Sequence, residues 1–341
     1  MSSSMLLSHE HDKFLQQYPL LATIGNTPLV RVDVLEEEFP DLTVSAKLEY
    51  FNPGGSLKDR PIRQILMDAL ATGELRPGKI ILDSSSGNAG IAYAMLGAAL
   101  KYPVHLVVPE NASLERRRRI VAHGATLITT DALKGYDEAL REVHRRAENE
   151  PERYFYADQY SNASNWQAHY HGTAVEILEQ TEGKVTHFVG GIGTGGAITG
   201  IGRRLKEYNP NIQVIAIIPE EFPGVEGLKP LGSPDAIVPA ILDQSIIDYR
   251  IDVSVESPLS SIPLLPTASG VIDYRIDVSV EAAYDMCWRL ARSGFFVGQS
   301  SGAYMQGVYT VAKTVRSGHI VTLFNDLGER YASTHLWERH A

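Results

Sequence analysis

Short runs of β-branched and apolar residues alternate with segments of helical periodicity along most of the chain. "GKIILDSSSG" leads into "NAGIAYAMLGAALKY", "VHLVVPENAS" into "LERRRRIVAHGA", and "TLITT" precedes "GYDEALREVHRRAENE". Further on, "THFVGGIGTGG" leads into "AITGIGRRLKEYN", and "QVIAIIPEE" follows. Short apolar runs bounded by turn residues read as buried strands, and the longer 3.6-periodic segments as helices. Repeated strand-then-helix units predict an α/β fold whose parallel sheets are covered by helices on both faces. In such folds ligands bind at the carboxyl ends of strands, where the Gly and Ser clusters of this chain fall.

One stretch breaks the rhythm. "IDYRIDVSVE" occurs at Ile247 to Glu256 and again, unchanged, at Ile272 to Glu281. Its apolar residues alternate strictly with polar ones, the mark of a strand with one buried face. Two copies do not make a solenoid, which needs about three repeats or more, so the pattern reads as a local duplication. The second copy runs directly into the helical pattern "AAYDMCWRLARSG" and is expected to be the one in the sheet. The prolines Pro258, Pro263 and Pro266 between the copies disfavour a central strand there.

Composition narrows the classes. A chain of 341 residues is long enough for two domains, and 44% hydrophobic with 21% charged residues describes an ordinary globular protein. The formal net charge of −10 disfavours nucleic acid and anionic membrane as partners. "ERRRR" at Glu115 to Arg119 reads as a solvated helix face. The single cysteine, Cys287, sits in an amphipathic helical pattern and excludes an internal disulfide. The His pairs of "SHEHD" and "HYHG" lack the further ligands that a metal site needs, so no metal is expected. No run of about 18 apolar residues is present, and "MSSSMLLSHEHDKF" lacks the core of a signal peptide. A cytoplasmic protein is the expectation.

Three clusters and one lysine carry chemistry. "SSSGNAG", Ser84 to Gly90, joins a strand to a helix and offers hydroxyls and free N–H groups to an anion, though a plain N-cap would look the same. "GGIGTGGAITG", Gly190 to Gly200, lacks the lysine of a P-loop and does not combine the G-x-G-x-x-G spacing with a suitable acidic partner, so a monophosphate suits it better than a nucleotide. "GQSSGAY", Gly298 to Tyr304, supplies hydroxyls at a sharp turn into helix. In "NPGGSLKDRP" a single lysine, Lys58, stands between an apolar residue and an aspartate. A lysine that captures a phosphorylated aldehyde cofactor needs such companions.

With "TIGNTPLVR", "SLKDRP", "SSGNAG", "DQYSNASN", "GGIGTGG" and "GQSSGA" in this order, the chain resembles the fold type II pyridoxal phosphate enzymes. Within them it is similar to the cysteine synthase and cystathionine β-synthase group. The resemblance spans nearly the whole chain. It implies two doubly wound α/β domains, a smaller one of residues 36–163 with the cofactor lysine and a larger one of residues 20–35 plus 164–335 with the phosphate loop. It further implies pyridoxal 5'-phosphate as cofactor and a homodimer. Lys58 would hold the cofactor and take the substrate's α-proton. Asn88 would hydrogen-bond the ring hydroxyl, Gly193, Thr194, Gly195 and Gly196 would bind the phosphate, and Ser300 would face the pyridine nitrogen. Ser85, Ser86, Asn88 and Gln159 would grip the substrate carboxylate.

The implied reaction is β-replacement, in which an activated serine exchanges its β-substituent for sulfide or another sulfur donor to give L-cysteine. "PENASLERRRR" and "GVEGLKPLG" are closest to the cysteine synthase B branch. O-acetylserine is the favoured substrate. O-phosphoserine is the alternative, with Lys229 as its available cation and Glu220 and Glu221 opposing it. A serine or threonine dehydratase, a cystathionine β-synthase-like enzyme and a non-enzymatic scaffold are the competing readings. Ala89 and Ala197 stand where the family often has Thr, which removes two hydroxyl contacts and leaves the substrate open.

Overall fold

The computed structural model describes residues 3–219, 224–229, 238–253, 272–274 and 279–338. In chain order the helices and strands begin with α1 (Ser3–Gln17), α2 (Pro19–Ala22), β1 (Leu29–Arg31), β2 (Leu42–Leu48), α3 (Asp59–Thr72), β3 (Ile80–Ser84) and α4 (Asn88–Leu100). Next come β4 (Val104–Pro109), α5 (Leu114–Ala122), β5 (Thr126–Thr130), α6 (Gly135–Asn149), β6 (Tyr154–Tyr156), α7 (Ser164–Ala168) and α8 (Ala174–Gln180). The chain continues through β7 (His187–Gly191), α9 (Gly196–Tyr208), β8 (Gln213–Pro219), β9 (Tyr249–Val253), β10 (Ile272–Tyr274), α10 (Val280–Arg292), α11 (Gln299–Ala312) and β11 (Gly318–Phe324). The expected alternation of strand and helix is present, in two compact units.

The first unit comprises Met1–Gly25 and Asn52–Asn165. Its sheet has the order β5-β4-β3-β6 and is parallel throughout. Successive residues of its strands serve opposite faces. Ile81, Leu106 and Val108 join Ile62, Ile65 and Leu66 of α3 and Ile91 and Leu96 of α4 in one core. Leu82 and Val107 turn the other way, against Ala139 and Val143 of α6 and Tyr154 of β6. The period of two along a strand therefore produces two cores from one sheet. Burying each such aliphatic side chain stabilises the fold by roughly 1.5–3 kcal/mol.

The second unit comprises Asn26–Phe51 and Trp166–Ala341. Its sheet runs β1-β2-β11-β7-β8-β9-β10, parallel except for the β1–β2 pair. The unit boundaries differ from those the resemblance implied. Residues 42–48 form β2, which pairs along its whole length with β11 of the larger sheet, whereas α1 and α2 belong to the smaller unit. Tertiary pairing, invisible in the local pattern of "LTVSAKL", decides this assignment.

The duplication also departs from expectation. The first copy supplies β9, which pairs with β8 from Ile215↔Tyr249 to Pro219↔Val253. Three residues of the second copy form β10, the edge strand beyond it, parallel to β9 with Ile272 opposite Tyr249. Asp248 anchors the first copy beside β8. Its N–H donates to Val214 O at 2.8 Å, and its carboxylate accepts from the Val214 N–H and from Lys206 Nζ. The prolines at 258, 263 and 266 lie outside the described residues.

Candidate functional site

In the first unit Lys58 directly precedes α3, at the end of a turn built from "NPGGS". Gly55 N–H donates to Asn52 O at 2.7 Å, and Asn52 Nδ2 donates to Ser56 O at 3.2 Å. The Gly54 N–H donates to Asp59 Oδ2 at 2.5 Å, so the first carboxylate of the helix folds back on the turn. Lys58 N–H is held by Ser56 Oγ at 3.3 Å. The residue is half-buried, and desolvation of its amine lowers the pKa from 10.5 to about 8. About a tenth of it is then the neutral, nucleophilic amine at pH 7, and about half at pH 8.

Ser85 and Ser86 occupy the turn between β3 and α4, and Asn88 is the first residue of α4. The Gly87 N–H donates to Ser85 Oγ at 3.3 Å. A Cβ at Gly90 would stand 2.1 Å from Ser85 O, so the loop folds onto the helix only because that position has no side chain. Gln159 is buried in the loop after β6, the neighbour of β3 in the sheet. The structure therefore gathers Ser85, Ser86, Asn88 and Gln159 at the carboxyl end of adjacent parallel strands, although more than seventy residues separate Gln159 from Asn88 in sequence. The N-terminal N–H groups of α4, unused within the helix, make this a place for an anion.

Asp83 links the two loops and was not singled out by its sequence. Its carboxylate accepts from Ser84 N–H at 2.6 Å, from the Tyr93 hydroxyl at 2.5 Å and from the Gln159 N–H. Burial raises its pKa to about 7, against the lowering effect of the Tyr93 hydrogen bond. An acidic residue at the end of an apolar strand, "IILD", was the available signal.

The arginine run needs a correction. Arg116 is buried rather than solvated, and a Cβ at Gly87 would lie 3.9 Å from its Nη1. Ile120 of the same helix reaches Gly90, so this face of α5 packs on the start of α4. Only Arg118 of the run is fully exposed.

In the second unit, Gly193, Thr194 and Gly195 follow β7 and Gly196 opens α9. Gly195 has φ of +80°, a left-handed backbone that a side chain would strain. A Cβ at Gly193 would stand 2.4 Å from Gly227 O. Thr194 is buried, and its Oγ1 accepts from Gly196 N–H at 3.5 Å. Lys229 reaches this loop through its backbone, its N–H donating to Ile192 O at 2.7 Å. Glu220 and Glu221 lie outside the described residues.

Ser300 is buried in the first turn of α11. Its Oγ accepts from Asn325 Nδ2 at 3.1 Å, and the neighbouring Ser301 Oγ accepts from Asn325 N–H at 2.9 Å. Asn325 follows β11, which neighbours β7 in the sheet, so the glycine loop and Ser300 share one sheet edge. Asn325 was not foreseen. Cys287 is buried in α10, its thiol donating weakly to Gly298 O at 3.6 Å, and burial pushes its pKa upward, as suits a structural thiol. His169 bonds Thr173 Oγ1 at 3.0 Å and His11 pairs with Asp68 at 2.9 Å. Among the described residues no cluster of three or more His, Cys, Asp or Glu could hold a metal ion, and no helix is long and apolar enough to cross a membrane.

A family model described as pyridoxal-phosphate dependent enzyme matches residues 20–326. The chain is 45% identical over 346 residues to the cysteine synthase of Aquifex aeolicus, covering 98% of each. It is 35% identical over 324 residues to cysteine synthase B of Pseudomonas aeruginosa, covering 94% of this chain and 98% of the relative. Among solved structures, an O-ureido-L-serine synthase superposes with a TM-score of 0.81 at 33% identity, over 94% of this chain and 95% of that one. Cysteine synthase from Entamoeba histolytica gives 0.81 at 32%, over 94% and 91%. With a matching model over most of its length and a relative 45% identical over 98% of it, the chain belongs to the pyridoxal-phosphate-dependent enzyme family.

Proposed function

We propose that this protein makes L-cysteine by β-replacement, exchanging the β-substituent of an activated serine for sulfide. The observation that carries the reading is Lys58, a desolvated amine with a pKa near 8 in the same unit as the Ser85, Ser86, Asn88 and Gln159 cluster. The name of the Aquifex relative supports the same assignment.

The residues present fit pyridoxal 5'-phosphate. Gly193, Gly195 and Gly196 put no side chain of their own at the α9 N-terminus, and Gly195 holds the left-handed backbone of the turn, which suits a phosphate dianion. Gly193, Thr194, Gly195 and Gly196 would bind that phosphate, Lys58 would hold the aldehyde carbon, Asn88 would bond the ring hydroxyl and Ser300 would meet the ring nitrogen. When bound, the cofactor supplies the electron sink that loosens the α-proton and then the β-substituent. Lys58 receives the α-proton as general base. Ser85, Ser86, Asn88 and Gln159 hold the substrate carboxylate with neutral donors at the α4 N-terminus, which orients the α-carbon. O-acetylserine is the preferred substrate. The protein acts as a cytoplasmic homodimer in this reading.

The test is an assay of purified protein with O-acetylserine, O-phosphoserine, serine and threonine, each with and without sulfide. Cysteine from O-acetylserine only when sulfide is present is the expected result. Keto acid released from serine or threonine regardless of sulfide would make the protein a dehydratase instead.

A further inference from the structure

Resting on the reading of Ser300 above, we infer that Asn325 is a positioning residue that fixes the Ser300 hydroxyl as a hydrogen-bond donor, so that the ring nitrogen it meets stays unprotonated. A hydroxyl has one proton and two lone pairs. One lone pair of Ser300 Oγ is engaged by Asn325 Nδ2 at 3.1 Å, leaving the O–H to point elsewhere. The main chain of Asn325 is fixed in place. The residue is 3% exposed, and its N–H is bound to Ser301 Oγ. On the following residue, Asp326 O accepts from Gly298 N–H at 3.1 Å, just before α11.

In the adjacent acid, Asp326 Oδ2 accepts from the Tyr331 hydroxyl at 2.9 Å, and the second oxygen stands against Gly298. Asn325 also interacts with the Tyr304 hydroxyl, which in turn bonds the backbone of Gly191 at the end of β7. A buried polar chain thus joins the strand that leads into the glycine loop to Ser300. An O–H donor stabilises a neutral pyridine nitrogen, whereas a protonated nitrogen needs an acceptor. The opposite amide orientation, with Asn325 Oδ1 toward Ser300, would make the hydroxyl donate to Asn325 and accept from a protonated ring. The two arrangements differ in one observable, the protonation of that nitrogen.

The experiment uses holoenzyme reconstituted with ring-¹⁵N pyridoxal 5'-phosphate and reads two quantities, the ¹⁵N shift and the cofactor dissociation constant. Wild type is expected to show a neutral ring nitrogen. Asn325→Asp places an acceptor against Ser300, drawing its proton away, and should move the shift toward the protonated value. Asn325→Ala, which adds no charge, should keep the ring neutral and weaken cofactor retention about three- to tenfold, as loss of one neutral hydrogen bond implies. Because Asn325 acts through Ser300, the double variant Ser300→Ala with Asn325→Ala should hold the cofactor no more weakly than Ser300→Ala alone. A protonated ring in wild type, or losses that multiply in the double variant, would overturn the inference and leave the cysteine-forming activity untouched. Wild-type protein that takes up no cofactor would overturn the functional reading and this inference with it.

Discussion

The Tyr93 hydroxyl donates to Asp83 Oδ2 across 2.5 Å, with both residues buried inside the smaller unit. Tyr93 lies in α4 and Asp83 at the end of β3, so the bond braces the helix against the strand on either side of the Ser84–Gly87 turn. Desolvation raises the Asp83 pKa from 3.8 to about 7. Between these values the folded protein binds more protons than the unfolded chain, so this group's contribution to stability is present below about pH 4 and is lost as pH rises through about 7. Asp83→Asn cannot titrate. Denaturant midpoints at pH 5 and pH 8 should show wild type losing stability relative to the variant at the higher pH. Parallel curves would mean that Asp83 stays ionised across the range.

Lys58 yields the second expectation. Its pKa falls from 10.5 to about 8, so the neutral amine accumulates as pH approaches 8. The rate of covalent cofactor uptake by the apoprotein, trapped with borohydride and read by mass spectrometry, should climb to about pH 8 and level off above it. The stability sign is opposite to that of Asp83. The unfolded chain binds the extra proton between 8 and 10.5, so stability rises with pH in that window. Lys58→Ala should fold, because the turn before α3 is held by Asn52, Gly54 and Asp59 rather than by the amine. It should lose the adduct and lose turnover by about 10²- to 10⁴-fold or more. An adduct on another lysine with turnover preserved would displace Lys58 from its role.

Much of this site was legible because its residues stand in contiguous turns. "SLKDRP", "SSGNAG" and "GGIGTGG" each fold locally, and a strand-to-helix turn fixes both the anion donors and the small residues that make room for them. Asp83 and Asn325 were not legible. Their significance lies in what a neighbouring strand or helix presents to them, Gln159 and Tyr93 in one case and Ser300 in the other. Arg116 misled for a related reason. A run of four arginines carries no helical asymmetry in its own pattern, and only the packing of α5 on α4 selects one for burial. The sheet membership of β2 is likewise a long-range fact, settled by its pairing with β11.

Substrate choice turns on Lys229. Its backbone N–H secures Ile192 O before the glycine loop, and an alanine keeps that bond. If O-phosphoserine is used, Lys229→Ala should reduce kcat/KM for it by about 1.5–3 kcal/mol, the value of a hydrogen bond to a charged group, and spare O-acetylserine. Equal losses on both substrates would assign the side chain a structural role.

The duplicated segment supports the last prediction. The first copy already supplies β9 beside β8, and the Asp248 carboxylate next to it is fixed by Val214 N–H and Lys206. On the far side of the repeat, α10 is capped by Ser279, whose hydroxyl accepts from Ala282 N–H at 3.2 Å. Deleting residues 257–281 joins Glu256 to Ala282 and recreates "SVEAAYD", with Ser254 taking the place of Ser279 as cap. What the deletion removes is the second copy and its connection, including the three-residue edge strand β10. A strand that short at a sheet edge contributes little pairing, and shortening a loop lowers its closure cost only slowly. The deletion variant should therefore bind the cofactor as the full chain does, with a thermal midpoint equal or slightly higher. An insoluble or cofactor-free product would show that β10 is an integral part of the larger sheet, with the second copy closing an edge that β9 cannot leave open.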